Sequence, residues 1–300
     1  MRLTIIGAPS SAGAYAPGQE KAPAAFRRYG LLDALRRKGV EATDAGDVPS
    51  FRWRPDHERA KAMNLDAVRL TAHALSRKVT DALRTNDVLL VLGGDCTVEL
   101  GTVAGAQRDG GSVGLVYIDL DVDLNPPQES DGALDWTGVA HMLGLPGTAT
   151  ELASLGERRP MLAASDVFFF GAEAITPREA KTIERLELAR VSLAEVKTDP
   201  VRAAKRALQW GARFDRLLVH LDVDVLSYVN FPIAENVRRE DGLTLDELAR
   251  SLNVLLSAPN FRALTVTEVN PDHAPDEHDI FGRLIGVLTA ALAAGLAERR

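Results

Sequence analysis

Short apolar runs alternate along the chain with longer segments in which apolar residues recur every three or four positions. The runs predict strands, because strands covered on both faces of a parallel sheet are continuously apolar. They span residues 3–7, 88–92, 115–119, 167–170, 217–222 and 264–269. The periodic segments predict helices over residues 23–38, 65–85, 177–188, 201–209, 245–257 and 281–298. Strands that alternate with helices indicate an α/β protein with a mostly parallel, doubly wound sheet in a three-layer α/β/α arrangement.

The size and composition of the chain are those of a globular protein. Its 300 residues, of which 46% are hydrophobic, suffice for one domain over residues 1–300, although length alone also allows two. The formal net charge of -7, with Lys and Arg scattered along the chain, argues against nucleic acid as a partner. We therefore expect a single globular domain that acts on a small molecule.

The N-terminus and the cysteine content indicate a cellular location. One cysteine allows no internal disulfide, and the chain enters a strand pattern at once, without the anatomy of a signal peptide. The longest apolar stretch, residues 284–296, is shorter than the roughly 20 residues that cross a bilayer. These features predict a cytoplasmic protein without a membrane segment.

Acidic residues follow three of the predicted strands. They lie in Gly93-Gly-Asp-Cys-Thr97, in Asp119-Leu-Asp-Val-Asp123 and in Asp222-Val-Asp224. Ligands of an open α/β sheet gather outside the carboxyl ends of its strands, so the three clusters are expected to meet. Carboxylates so close together repel one another unless they keep protons or bind a cation. The pattern favours a site for more than one metal ion, and the alternative is that these aspartates cap helices and turns.

At these motifs the chain resembles the arginase/agmatinase (ureohydrolase) family, whose signatures are Gly-Gly-Asp-His, Asp-Ala-His-x-Asp and Ser-x-Asp-x-Asp. The resemblance extends to Ala8-Pro9 and residues 23–27 near the N-terminus and to Thr267-Glu-Val-Asn-Pro271 near the C-terminus. It therefore covers nearly the whole chain in the same order. Within the family, Gly-Gly-Asp-Cys-Thr and Gly132-Ala-Leu-Asp-Trp136 resemble the branch of the Nω-hydroxyarginine hydrolase of D-cycloserine biosynthesis.

The resemblance implies an enzyme with two Mn²⁺ ions and a bridging hydroxide that attacks a guanidinium carbon and releases urea or a related product. Oxygen-rich sites suit Mn²⁺, and two metals close together lower the pKa of a shared water. By position, the family's carboxylate ligands correspond to Asp119, Asp123, Asp222 and Asp224, and Asp119 and Asp222 would bridge the two ions. Family members commonly form trimers or hexamers, so a homo-oligomer is expected.

Two positions depart from the family pattern, because Cys96 and Asp121 stand where the family has histidine ligands. With two His and four Asp the ligand charge is about -4, and with a thiolate and five Asp it becomes about -6. Such a site keeps protons, holds metal differently, or holds one ion or none. Cys96 is either a thiolate ligand or a neutral buried thiol. Asp121 would complete the metal shell and is counted with the catalytic residues.

The resemblance also assigns roles around the metals. His141 would carry protons to the leaving amine, Glu268 would pair with the substrate guanidinium, and Asn125 and Glu179 would hold the rest of the substrate. The structural alternatives are a packed histidine, a salt bridge from Glu268 to an arginine, and a turn residue at Asn125. Asn125 favours an amino-acid substrate, whereas Thr176 lacks the carboxylate with which arginases hold the α-amino group.

The sequence thus predicts a metal-dependent amidinohydrolase that cleaves a guanidino C–N bond of an arginine-like compound, arginine or Nω-hydroxyarginine among them. The rival hypothesis is a catalytically silent protein that keeps the fold for binding or assembly, because both histidine ligands are replaced.

Overall fold

The computed structural model describes residues 2–85, 87–108, 110–238 and 240–297. Its strands are β1 (Leu3–Gly7), β2 (Ala42–Asp47), β3 (Val88–Leu92), β4 (Val113–Ile118), β5 (Val167–Ala172), β6 (Ala189–Ser192), β7 (Arg216–Asp222) and β8 (Phe261–Thr267). They form one sheet in the order β2-β1-β3-β8-β7-β4-β5-β6, in which every neighbouring pair is parallel. The predicted parallel α/β sheet is confirmed.

Helices cover both faces of this sheet. They are α1 (Ala22–Arg28), α2 (Leu31–Arg37), α3 (Leu65–Arg84), α4 (Val98–Gln107), α5 (Gly138–Met142), α6 (Thr150–Ala153), α7 (Pro177–Leu186), α8 (Leu193–Thr198), α9 (Pro200–Gly211), α10 (Leu245–Leu255) and α11 (Glu277–Ala297). Successive residues of β3 point to opposite layers: Leu90 packs in the core with α10 and α11, and Leu89 and Val91 pack in the core with α3 and α4. The sheet is therefore the middle of three layers.

The structure corrects several predicted elements. The predicted helix over residues 23–38 is two helices, because Gly30 between them takes a left-handed conformation with φ of 85°. The sequence analysis missed β2 and β6, whose residues at the sheet edges are mostly not buried and so form no apolar run. It also missed α4, which is buried on all sides and therefore shows no amphipathic period.

The last helix, α11, starts four residues earlier than predicted and is 21 residues long. By length and hydropathy it could cross a membrane, yet 56% of its most apolar window is buried inside the protein. Leu284, Leu288 and Leu292 have no exposed surface and belong to the main core. This burial is what a core helix of an α/β protein shows. Residue 298, the predicted end of the helix, lies outside the described residues, and so do parts of the predicted domain over residues 1–300, which stays a prediction.

Candidate metal centre

Four central strands, β3, β8, β7 and β4, deliver their carboxyl ends to one place. The register pairs Leu92 with Val266 and Ile118 with Leu221, so the strands end at nearly the same level. A pocket opens there between the loops that follow them. All six residues predicted to bind metal line it: Cys96, Asp119, Asp121, Asp123, Asp222 and Asp224.

The turn after β3 places Cys96 by a close approach of two backbones. A Cβ at Gly94 would lie 1.6 Å from the carbonyl oxygen of Ser10, so only glycine fits there. The next amide, that of Asp95, donates to the same Ser10 oxygen at 3.0 Å. The carboxylate of Asp95 accepts from the amides of Gly13 and Thr97 at 2.9 and 3.0 Å. Asp95 therefore holds the turn together, and Cys96 follows it into the pocket.

The two Asp-x-Asp motifs adopt the same local turn. Oδ1 of Asp119 accepts from the amide of Asp121 at 2.7 Å, and Oδ1 of Asp222 accepts from the amide of Asp224 at 2.7 Å. The second oxygens differ. Oδ2 of Asp222 accepts from the Cys96 thiol at 3.1 Å, whereas Oδ2 of Asp119 is buried and has no hydrogen-bond partner among the described residues. A buried carboxylate oxygen without a donor indicates that something else, such as a cation, belongs beside it.

Electrostatics at the pocket point the same way. Burial, and then the charges of Asp222 and Asp224, raise the pKa of Asp119 well above its usual range. Burial and Asp224 likewise raise the pKa of Asp222, and burial raises that of the Cys96 thiol. Ligand oxygens of Asp119, Asp121 and Asp224 lie within 4.8 Å of one another. These oxygen donors suit a hard divalent ion such as Mn²⁺. The charge of the ion would stabilise the ionised carboxylates, which otherwise keep their protons.

Asp123 lines the same pocket, and one of its carboxylate oxygens is bound by the protein. Its Oδ2 accepts a hydrogen bond from the Tyr117 hydroxyl at 2.5 Å, so one of its oxygens is already engaged by the protein. Asp123 and Glu268 both have positive φ, 50° and 62°, which is uncommon for side-chain-bearing residues. Such backbone conformations cost about 1–3 kcal/mol each and cluster at functional sites. Both side chains are thus held at the pocket against a local backbone preference.

Glu268 and a carboxylate that the sequence analysis missed share the inner wall. Oε2 of Glu268 accepts from Gln19 Nε2 at 3.2 Å, and its Oε1 is buried without a partner in the described part of the chain. Asp135 accepts from the amide of Cys96 at 2.9 Å, and burial raises the pKa of Asp135 to about 8. Cys96, Asp135 and Glu268 offer ligand atoms within 4.8 Å of one another. The only sequence signal for Asp135 was its place in the stretch Gly132-Ala-Leu-Asp-Trp136.

His141 is placed elsewhere. It lies on α5 with no exposed surface and is not among the residues that line the pocket. Its Nδ1 is 2.7 Å from the carbonyl oxygen of Thr137, and its Nε2 accepts from the amide of Ala149 at 3.1 Å. Burial lowers the pKa of His141 to about 4. Both ring nitrogens are committed to the backbone, which speaks against the predicted proton-carrying role.

Replacing this histidine tests its role. We expect His141→Leu to cost about 1–3 kcal/mol in the free energy of unfolding, because the buried carbonyl of Thr137 and the half-buried amide of Ala149 lose their imidazole partner. Metal content should stay that of the unaltered protein. Urea denaturation and elemental analysis measure both quantities. Unchanged stability together with a loss of turnover at full metal content would restore the proton-carrying role.

The two predicted substrate-binding residues, Asn125 and Glu179, line a second cavity that joins the first at Asp121 and Trp136. Glu179 is engaged by the protein: Oε2 accepts from the amide and hydroxyl of Thr176 at 3.0 and 2.8 Å, closing the capping box of α7. Its position is therefore explained by the helix start. Asn125, half-buried, is the amide group that this second cavity presents.

An aromatic pair, also missed from the sequence, flanks the entrance. The rings of Tyr15 and Trp136 stack with centroids 6.1 Å apart and planes 18° apart, and both residues line the acidic pocket. Aromatic faces attract cations, and most strongly where water is excluded. The pocket therefore combines carboxylates with aromatic walls, which suits a planar organic cation.

Comparison with known proteins agrees with the fold. The model of the Arginase family matches residues 1–299. The chain is 30% identical to the arginase of Agrobacterium fabrum over 305 residues, covering 96% of this chain and 89% of that protein. It is 27% identical to human Arginase-1 over 274 residues, covering 90% and 85%. The crystal structure of arginase from Bacillus subtilis superposes with a TM-score of 0.87 at 23% identity, covering 97% of this chain and 98% of that one.

The family match, together with a parallel eight-stranded sheet that carries an acidic pocket at its carboxyl edge, defines this protein as a hydrolase of the ureohydrolase class. The chain belongs to the arginase family.

Proposed function

We propose that this protein is a metal-dependent amidinohydrolase that cleaves a guanidino C–N bond of an arginine-like compound and releases urea or hydroxyurea. The observation that carries the proposal is the meeting of six potential metal ligands and Glu268 in one buried pocket. The similarity to arginases supports the reaction class. Arginine and Nω-hydroxyarginine are the substrates that we would test first.

The residues present fit the metals that such a reaction uses. Asp119, Asp121 and Asp224 would hold one Mn²⁺, and Asp222, Asp123 and Cys96 lie beside it for a second. A divalent ion supplies positive charge that lowers the pKa of the attacking water and stabilises negative charge in the transition state.

The protein's own groups would bind and orient the substrate. Oε1 of Glu268, which lacks a partner among the described residues, would accept one guanidinium N–H, and Oε2, which also accepts from Gln19, would accept the other. A carboxylate pairs with this planar cation through two such parallel hydrogen bonds. Tyr15 and Trp136 would lie against the bound cation and exclude water. With His141 outside the pocket, Asp135, which lies beside Glu268, would be the acid that gives a proton to the leaving amine. Asn125 would contact the far end of the substrate.

Metal content and product release test the function together. Protein purified from cells grown in ample manganese should hold one to two divalent ions per chain and release urea from arginine or hydroxyurea from Nω-hydroxyarginine. The silent binding protein predicts neither. Full metal loading without product from either compound would exclude arginine and Nω-hydroxyarginine as substrates. Absence of metal after growth in excess manganese would contradict the hydrolase proposal.

Restoring the family histidine is a sharper test of the altered site. We expect Asp121→His to raise Mn²⁺ affinity or turnover, because it removes one negative charge from a centre that holds an excess. Titration of chelator-treated protein with Mn²⁺, followed by electron paramagnetic resonance, measures the affinity. Asp131→His, at an aspartate of the second cavity outside the metal pocket, is the matched control and should leave the affinity unchanged. No gain in an Asp121→His protein already fully loaded would contradict the charge argument.

We also propose a cytoplasmic homo-oligomer, a trimer or hexamer. The resemblance to the family supports the oligomer, and the single cysteine of the chain supports the cytoplasmic location. Light scattering on the purified protein measures the assembly, and a monomer at all concentrations would remove this part of the proposal.

A further inference from the structure

A fully buried histidine outside the predicted ligand set lies behind Cys96, beneath the residues that line the acidic pocket. His220, near the end of β7, has no exposed surface. Its Nε2 is 3.4 Å from the Cys96 sulfur and 3.3 Å from the Thr267 hydroxyl. Ligand atoms of Cys96, Asp119 and His220 lie within 4.8 Å of one another. Sulfur, imidazole and carboxylate donors thus converge on one point.

The second ring nitrogen of His220 has a carboxylate partner, as in many metal sites with histidine ligands. Nδ1 of His220 is 3.4 Å from Oε2 of Glu99, a carboxylate of α4 that is also fully buried. Histidines that bind a metal through one nitrogen commonly donate the other N–H to a carboxylate, which fixes the tautomer and leaves the first nitrogen free to coordinate. The ring of Tyr117 stacks on His220 with centroids 4.1 Å apart and planes 3° apart, which packs the imidazole in this orientation. In the tautomer with its proton on Nδ1, facing Glu99, the Nε2 lone pair points towards Cys96.

A third ligand atom lacks any partner in the protein. Oδ2 of Asp119 is buried and accepts no hydrogen bond from the described residues. Asp222 completes the set, because its Oδ2 is 3.1 Å from the Cys96 sulfur. A cation bound between this oxygen, the thiol and the imidazole would satisfy all three.

We propose that Cys96, His220 and Asp119, with Asp222, form a mixed sulfur, nitrogen and oxygen site that prefers Zn²⁺ to Mn²⁺. The bond lengths of tetrahedral zinc place sulfur and nitrogen ligands about 3.5 Å apart, and the observed separation is 3.4 Å. Thiolate and imidazole select zinc, whereas the oxygen-only set of Asp119, Asp121 and Asp224 suits manganese. The centre then has two chemically different sides that share Asp119.

This inference deepens the proposed function and rests on it only for the claim that the pocket holds metal. It also bears on the ligand replacement that the sequence shows. An imidazole ligand is lost at position 121, and position 220 supplies one to the ion on the Cys96 side. The neutral imidazole adds no charge to that side, which already carries the thiolate and the carboxylates of Asp119 and Asp222.

Cobalt is the probe, because Co²⁺ occupies zinc sites and shows a sulfur-to-metal charge-transfer band only when a thiolate is bound. We expect chelator-treated protein to develop this band with one equivalent of Co²⁺ and Cys96→Ser to lack it. Glu99→Gln should weaken Zn²⁺ binding about 10- to 100-fold, as is typical when the partner of a histidine ligand is changed. His220→Asn should weaken it at least as much. Asp121→Asn is the matched control and should keep the sulfur band while losing Mn²⁺ affinity.

One measurement needs no variant. X-ray absorption at the zinc edge of the unaltered protein should show one sulfur and one imidazole around the ion. A shell of oxygen atoms alone, or Co²⁺ binding without a sulfur band, overturns the inference. The two proposals can fail separately. A sulfur band without release of urea or hydroxyurea would contradict the proposed function only. Turnover with manganese but without any sulfur ligation would contradict the zinc site only.

Discussion

Asp119→Asn is expected to abolish metal-dependent turnover and to strip the centre of metal. Asp119 contributes to both predicted sides of the centre, and its Oδ2 has no other partner in the described structure. We expect metal affinity to fall by more than the roughly 10- to 100-fold that is typical when only a partner of a ligand is changed. Elemental analysis and product assays on the same preparation measure both effects.

The same substitution should stabilise the metal-free protein. Burial and neighbouring carboxylates raise the pKa of Asp119, which means that its charged form opposes folding. A neutral amide of the same size removes that repulsion, so the free energy of unfolding near pH 8 should rise by on the order of 1–3 kcal/mol. Loss of metal combined with loss of stability would mean that Asp119 acts through the fold instead.

Asp87→Asn is the matched control for this experiment. Asp87 is also a buried aspartate, but it precedes β3 and accepts from the Thr4 hydroxyl at 2.8 Å, at the end of the sheet opposite the pocket. It should lose some stability and keep its metal. A similar loss of metal in both variants would contradict a specific role for Asp119.

The metal-free protein is expected to lose stability as the pH rises from 6.5 to 8, and Mn²⁺ should remove this loss. Burial raises the pKa of Asp135 to about 8, and the pKa values of Asp119, Asp222 and Glu268 are also well above their usual range. The folded state thus keeps protons that the unfolded state has released, so stability falls with rising pH until these groups ionise in the folded state too. The slope is roughly 1.4 kcal/mol per pH unit for each such proton.

The lowered pKa of His141, about 4, acts in the opposite direction. Below about pH 6.5 the unfolded histidine takes up a proton that the folded one refuses, which offsets the proton held by one carboxylate and makes the pH dependence less steep there than in the window from pH 6.5 to 8. Urea denaturation across the window, with and without Mn²⁺, measures the effect. Asp135→Asn should flatten the slope in the metal-free protein. A metal-free protein whose stability is constant or rises across the window would show that the carboxylates are not coupled as described.

The central strands and the position of the acidic clusters could be predicted because each depends on local pattern. Continuous apolar runs predict β3, β4 and β7. A charged residue that follows such a run lies at the carboxyl end of its strand, where ligands of a parallel sheet bind. Edge strands such as β2 lack that pattern, since their polar residues face solvent. The buried helix α4 has apolar residues on every side and no period to detect.

The site was predicted less completely, because contacts between distant segments decide it. His141 stands close in sequence to the acidic cluster, yet α5 turns it into the protein, where Thr137 and Ala149 bind both ring nitrogens. Asp135, six positions earlier, enters the pocket because its carboxylate accepts from the amide of Cys96. Sequence spacing cannot choose between two such neighbours on an irregular segment.

The sequence by itself determined the class of fold and the place of an acidic centre, since apolar periodicity and strand-end aspartates are local properties of the chain. Tertiary structure alone decided which donors meet: it brought His220 within 3.4 Å of Cys96 and placed Glu99 behind it, although these three residues lie on different elements. The physical reason is that coordination depends on distances of a few ångströms between side chains, and those distances are set by the packing of the whole sheet.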